Sequence, residues 1–446
     1  NQNGEYSLGD FDVSGFNGVV NVDDASDSVK STLTLKENTD YFKNGATINI
    51  SKDGTLNLNG AGNAGTGAFD VDFNGAGSIN VNADHSFGAT AALDGFTGTV
   101  ALDKNTLTLK AENNTAAIFT GNANATLQAD KANQTYSANK AFDNFKGTIG
   151  VDTATITISG ANTTDAKFNG TSGNVIFAAN QTLNSASALN GLDNKSSITV
   201  NAAADVTLKG ENKVSAALKG AGDVIADANQ TFTGNVSAFT GTYTANADTT
   251  SGNDYTVTFK AAATLAGSMT LNGAGAFVLE GNGKNVTVNS DNSKTDLSIA
   301  GNTITLDSGI YEDVTGNNSG SKLIVNNTIT ADTVTVDALV INAGKSLTAG
   351  SVTANSTYVY ILNPGEQGPA ITVTDNSSSF GDISVNSWSS AFTTPFTIVN
   401  SVTGQVYTDT IQVDVLHRQD FFHRFEIGGY QYCRSACNFP VPVRLY

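Results

Sequence analysis

The chain has no cysteine before Cys433, no arginine before Arg418, no proline before Pro364 and one histidine, His85, before His417. Its single tryptophan is Trp388, and charged residues fill 14% of 446 positions, against roughly 25% in an average soluble protein. Each scarcity excludes something. Cysteine confined to the end tells against a disulfide scaffold, although it does not fix the compartment. One histidine and no arginine across residues 1–416 leave His85 as the sole base on which a nucleophile–His–acid triad could be built. No run reaches the roughly 18 apolar residues of a membrane helix, so no membrane span is expected in this chain. The start, Asn1-Gln2-Asn3-Gly4, lacks the basic, apolar and small-residue pattern of a signal peptide, which reads as a processed or cytosolic segment. Basic residues are also few: 23 against 41 acidic, a net charge of −18. A polyanion is repelled at long range, and nucleic acid is excluded as a main partner because its affinity comes from Lys and Arg neutralising phosphates. Residues 417–446 carry four Arg against Asp420 and Glu426, a net of +2, which leaves −20 for residues 1–416.

What fills the chain instead is Asn, with 51 copies, together with Thr, Ala, Ser and 45 Gly. Short alternating runs recur: Leu33-Thr34-Leu35, Ile48-Asn49-Ile50, Leu107-Thr108-Leu109, Ile156-Thr157-Ile158 and Val334-Thr335-Val336. Apolar residues two apart with Thr or Asn between them have the period of a half-buried strand. Between these runs lie clusters such as Asn59-Gly60-Ala61-Gly62-Asn63, which tolerate the positive φ of tight turns. No segment carries a helical apolar stripe, so the expected class is all-β.

A longer period selects among all-β folds. Phe96-Thr97-Gly98-Thr99, Phe145-Lys146-Gly147-Thr148 and Phe239-Thr240-Gly241-Thr242, with Leu192 in register, are spaced 49, 47 and 47 residues apart. Upstream of these anchors fall Phe87, Tyr136, Leu183 and Phe232, the last three preceded by Asn-Gln-Thr or its equivalent in Asn133-Gln134-Thr135, Asn180-Gln181-Thr182 and Asn229-Gln230-Thr231. Alternating strands near Leu109, Ile158, Leu208 and Phe259 keep the same order. A unit of about 48 residues holding several short strands fits two stacked coils of 20-odd residues with three strands each. A propeller blade has similar length but carries long antiparallel strands and a regular aromatic signature, which one Trp cannot supply. The expected fold is a parallel β-helix, with inward Val, Ile, Leu and Phe stacked at about 4.8 Å and outward Thr and Asn in ladders. The Phe anchor before a Gly is read as a core aromatic at a tight corner.

Three segments follow: residues 1–363 as β-helix repeats, with the clearest register over 75–280; 364–416 as a C-terminal cap; and 417–446 as a basic tail of unclear origin. Pro364, Pro369 and Pro395 mark the change, because proline removes a ladder donor, and Trp388 is read as covering the last open rung. Phe421-Phe422-His423-Arg424-Phe425 in the tail resembles nothing upstream.

Chemistry-bearing constellations are sparse. His85 replaces Gln in the Asn-Gln-Thr pattern and is read as a repeat variant on a turn. Asp70 and Asp72, alternate residues of a strand, would lie about 7 Å apart on one face, in the range of glycosidase pairs, although such pairs are commonly solvated surface. His417, His423, Cys433 and Cys437 match no strong zinc spacing, and a Cys433–Cys437 disulfide or two free thiols is preferred. No glycine-rich Ca²⁺ nonapeptide, EF-hand loop, phosphate loop or dinucleotide turn is present. No catalytic residue, cofactor or metal is assigned.

The combination of Gly-x-Gly before an apolar strand (Gly75-Ala76-Gly77, Gly220-Ala221-Gly222, Gly273-Ala274-Gly275), then Asn-Gln-Thr-Phe, then Phe-Thr-Gly-Thr, resembles the passenger repeats of bacterial autotransporters, the type V secretion family. The resemblance covers roughly residues 10–416. It implies a right-handed parallel β-helix and a cap that assists folding, to which Pro395-Phe396-Thr397-Ile398-Val399 is similar in kind. Against the pattern, the alternating strands of a membrane barrel do not follow residue 416. The function implied is a surface-displayed or secreted rod-like stalk, non-enzymatic, acting in adhesion, self-association or shielding, with host or bacterial surface glycans or proteins as partners. Two alternatives are a β-helical polysaccharide-degrading enzyme or tailspike, and an S-layer-like lattice protein.

Overall fold

The computed structural model describes residues 5–7, 15–23, 30–35, 45–60, 69–248, 254–291, 293–317, 319–361, 370–375, 377–387, 397–403, 411–415, 424–427, 430–433 and 443–444. Among them there is no helix, and the parallel strands stack as a β-solenoid of about 16 turns. Residues 1–241 and 242–446 form two compact units.

In the first unit the strands are short because every few residues the chain must turn a corner. Thr106–Leu109, Thr126–Asp130, Thr148–Asp152 and Lys167–Gly170 pair in parallel, so that Leu107, Leu127, Ile149 and Phe168 are successive register partners. All four are buried. On another side Ile156, Val175, Ile198 and Leu218 form the same kind of inward column. Each fully buried aliphatic side chain contributes about 1.5–3 kcal/mol, which is the main force holding one coil on the next. The aromatic anchors add edge-to-face contacts, including Phe119–Tyr136 at 5.4 Å and Tyr136–Phe142 at 5.0 Å between ring centroids. Phe96, Phe145, Leu192 and Phe239 are all buried, as expected for core anchors.

The corners explain the Gly-x-Gly motif. Gly75 has φ +107, and a Cβ there would stand 2.0 Å from the Ile50 carbonyl oxygen of the coil below. That carbonyl accepts the Ala76 and Gly77 N–H groups at 3.1 and 3.2 Å. Gly220 repeats the arrangement, with φ +102 and the Val200 carbonyl oxygen at 2.0 Å. Only glycine meets both demands, positive φ and backbone contact without a side chain.

Outward residues form the expected ladders. Asn80 Nδ2 donates to Asn57 Oδ1 at 2.8 Å, across 23 residues of sequence, and Asn49 Nδ2 donates to Asn21 Oδ1 at 2.8 Å. Asn at corners also bonds the next coil's backbone: Asn133 Oδ1 accepts the Thr155 N–H and Asn180 Oδ1 the Asp205 N–H.

In the second unit the strands lengthen to 12, 14 and 16 residues in Thr295–Leu306, Thr328–Ile341 and Ser346–Ile361. These long strands bend round corners. Between Thr328–Ile341 and Ser346–Ile361 the pairing skips Asp332 and Asp337, which splits the coil into three straight sides. Ladder partners here can be as few as 16 residues apart, as with Asn342 and Asn326. Parallel pairing continues beyond the prolines: Ser346 with Ala370, Ala370 with Thr397, Ser356 with Asp382 and Ile383 with Ile411. In the basic tail the pairing becomes antiparallel, with Arg424–Ile427 against Tyr430–Cys433. The residues Asn363 to Gly365, Trp388, Pro395, Phe396, His417, His423 and Cys437 lie outside the described residues, and with them the expected Trp388 cap contact and the Cys433–Cys437 pairing.

Candidate functional site

Asp70 and Asp72 do come together. Asp72 occupies an outward position of Val71–Gly75, opposite Thr47, and both carboxylates are partly exposed. Partial burial, then Asp70 and Asp94, raise the Asp72 pKa, because each disfavours another negative charge. Asp94 has a structural task, since its Oδ1 accepts the Asn114 N–H at 2.6 Å. Chemically the cluster offers one carboxyl biased toward protonation beside others, on an open sheet face. Among the described residues no group of three or more His, Cys, Asp or Glu is placed to hold a metal ion.

His85 is not on a turn. It opens the strand His85–Phe87, faces the core at 5% exposure, and meets the Phe69 ring edge-on at 6.0 Å. The reason lies in the position it inherits. In three other repeats that position is a buried Gln clamped to a buried Asn of the coil below. Asn113 Nδ2 donates to Gln134 Oε1 at 3.1 Å, Asn162 to Gln181 at 3.0 Å and Asn212 to Gln230 at 3.1 Å. Each Gln Nε2 donates to two backbone carbonyls, for Gln181 those of Gly160 and Ala179 at 2.8 and 2.9 Å. Each Asn Oδ1 accepts a backbone N–H at 2.9 Å, from Leu93, Phe142 and Leu189 in turn. The imidazole lacks the partner amide of the clamp: it lies against the Gly60 and Leu58 backbone, and neither ring nitrogen makes a well-formed hydrogen bond. Burial therefore depresses its pKa, opposed by the Gly60 and Leu58 backbone and by Asp84.

One sheet of the first unit is free of charge over five successive strands. Ser31–Leu35, Gly54–Leu58, Ser78–Val81, Thr99–Ala101 and Ile118–Gly121 contain no ionisable side chain. Several acids sit at corners, where Asp84, Asp143 and Asp193 accept backbone N–H groups of Thr106, Thr163 and Ser172, while others such as Asp72 and Asp205 lie on strands of other sheets.

One face departs from the Thr/Asn rule. Tyr358 and Tyr360 are both partly exposed and flank the inward Val359, so they project from the same face of Ser346–Ile361, roughly 7 Å apart along the strand. Below Tyr358 in register are Val340 and then Ile324. Val340 points outward yet is only 3% exposed. Above Tyr358 is Ser384. Beside Tyr360 an amide ladder ends: Asn326 Nδ2 donates to Asp307 Oδ1 at 2.7 Å, and Asn342 Nδ2 to Asn326 Oδ1 at 2.9 Å. Ile341 pairs with Val359, which brings Asn342 level with Tyr360. The sequence carries a signal for this pair. In Thr357-Val359 against Tyr358-Tyr360 the outward positions carry two aromatic rings, where outward positions of other strands carry Thr, Asn, Lys or an aliphatic residue such as Ile176 or Ile324.

Among the described residues no helix is long and apolar enough to cross a membrane. No family model, curated protein or solved structure matches the chain.

Proposed function

We propose that this chain is the non-enzymatic, surface-displayed or secreted portion of a bacterial adhesion or self-association system, of the kind that autotransporter passengers provide. The observation that carries the reading is a repeated coil with one sheet whose five successive strands present uncharged Ser, Thr and Asn outward, while several acids serve at corners as backbone acceptors. Such a build spends its side chains on stacking and on a broad neutral surface. That surface suits contact with host or bacterial surface glycans or proteins, and disfavours polyanions. Outer-membrane display is what the resemblance in the Gly-x-Gly, Asn-Gln-Thr and Phe-x-Gly-Thr motifs implies.

The test is retention. Beads coated with the purified chain are expected to adhere saturably to bacterial or host cell layers, or to one another, and antibody against the chain to label intact producing cells. Beads that adhere no better than albumin-coated ones, with labelling only after lysis, would sink the reading.

A second reading, a polysaccharide-degrading β-helix, draws on one observation: the raised pKa of Asp72 beside Asp70. Two carboxyls on one face, one of them biased toward its protonated form by its surroundings, are the groups glycoside hydrolysis uses.

A further inference from the structure

We infer that Tyr358, Tyr360 and Asn342 form a binding platform for an uncharged glycan. The inference rests on the binding reading above and gives it a location and a ligand class.

Aromatic side chains in this fold belong inside. Among the described residues the only aromatic side chains not buried are Phe16, Tyr255, Tyr358 and Tyr360, and only the last two share a face of one strand. Leaving two large rings partly in water forgoes the stabilisation that their burial elsewhere supplies, and exposed paired tyrosines are the side chains that recognition surfaces favour. The rings are also supported. Val340, packed in the row between Ile324 and Tyr358, is almost wholly covered, so Tyr358 stands on a filled apolar base and loses little freedom when a ligand arrives.

The surroundings decide the ligand class. A pyranose presents an apolar C–H face and a rim of hydroxyls, and needs a flat apolar partner with hydrogen-bonding groups at its edge. The tyrosine pair supplies the flat partner. Asn342 supplies the edge: its Nδ2 is held by Asn326, and its Oδ1 has no hydrogen-bond partner among the described residues, which leaves an oriented acceptor beside Tyr360. Ser384, partly exposed, lies on the other side of Tyr358. A protein partner would call for a wider desolvated apolar centre than two rings bordered by Ser and Asn. An acidic polymer would meet the Asp307 carboxylate at the root of the amide ladder. An uncharged sugar chain fits what remains.

The experiment uses the full chain and an array of neutral glycans (β-glucan, α-glucan, mannan and chitin oligomers) with oligogalacturonate as the acidic counterpart. Titration calorimetry then follows the best binder. The unchanged chain should bind at least one neutral oligomer saturably and more tightly than oligogalacturonate. Tyr358→Thr with Tyr360→Thr, which keeps strand propensity, should weaken that binding at least about tenfold, whereas Tyr358→Phe should keep it within about threefold. Matching far-UV spectra and denaturation midpoints show that the variants are folded. No neutral binding, preference for the acidic oligomer, or a double threonine variant that binds as well as the unchanged chain would overturn the inference. Bead adhesion separates the two claims: adhesion that survives in the double variant while neutral binding never depended on the tyrosines removes this platform and leaves the adhesion reading standing. Loss of adhesion in the unchanged chain removes that reading itself.

Discussion

Asn162 donates a hydrogen bond from Nδ2 to Gln181 Oε1 at 3.0 Å, with both side chains buried inside the coil. The bond links one turn to the next, and every remaining donor and acceptor of the two amides is used on the backbone, Gly160 and Ala179 accepting and Phe142 donating. A closed buried network of this sort specifies register, because slipping one coil leaves several polar groups unpaired in the core.

Gln181→Leu should therefore cost about 1–3 kcal/mol, since it leaves one Asn162 Nδ2 hydrogen and the Ala179 carbonyl unpaired and takes one of two donors from the Gly160 carbonyl. Chemical denaturation of the two proteins measures this. An unchanged midpoint would mean that the clamp contributes nothing.

His85 makes stability depend on pH in one direction. Its folded-state pKa is lowered from the ordinary 6.5, so the unfolded chain binds the proton more readily. The contribution is intact above about pH 6.5 and is lost as pH falls below that value toward the folded-state pKa. His85→Gln should flatten this part of a denaturation-versus-pH curve and leave the neutral-pH end no less stable. A variant whose curve keeps the same acid slope would assign the slope to other groups.

Tyr136 is fully buried and its hydroxyl has no hydrogen-bond partner, while Phe87, Leu183 and Phe232 fill the same place in other repeats. Tyr136→Phe should stabilise the protein by about 1 kcal/mol, by removing a desolvated hydroxyl and keeping the ring contacts to Phe119 and Phe142. A fall in the thermal midpoint would show that the hydroxyl is satisfied after all.

Gly173 has no room for a methyl group: a Cβ would lie 1.6 Å from the Val151 carbonyl oxygen. Gly173→Ala should force the coils apart locally and cost about 2–4 kcal/mol, far more than alanine's usual advantage over glycine in chain entropy. Hydrogen exchange should show the loss first in Thr148–Asp152 and Asn174–Phe177.

The fold was legible because the features that build a coil repeat in the sequence. Leu107, Ile156 and Phe259 announce inward columns, and Gly75, Gly220 and Gly273 mark corners where any side chain would strike a carbonyl. The polar interior was not legible. Asn162 and Gln181 look like two more members of an Asn-rich surface, and only the register reveals that they meet inside. His85 is expected on a turn because it stands among polar neighbours in Asp84-His85-Ser86, although the core aromatic Phe87 two residues on shares its strand face. The tyrosine platform was hidden because alternation alone assigns Tyr358 and Tyr360 to a strand but does not tell which face has a core behind it.

The most direct measurement of the central claim, that the chain binds without transforming what it binds, is the release of new reducing or unsaturated sugar ends during incubation with neutral and acidic polysaccharides, followed by mass spectrometry. The account predicts saturable retention with no products accumulating over time. Products that grow with protein concentration and disappear with Asp72→Asn would contradict it and establish the carboxylate cluster as catalytic.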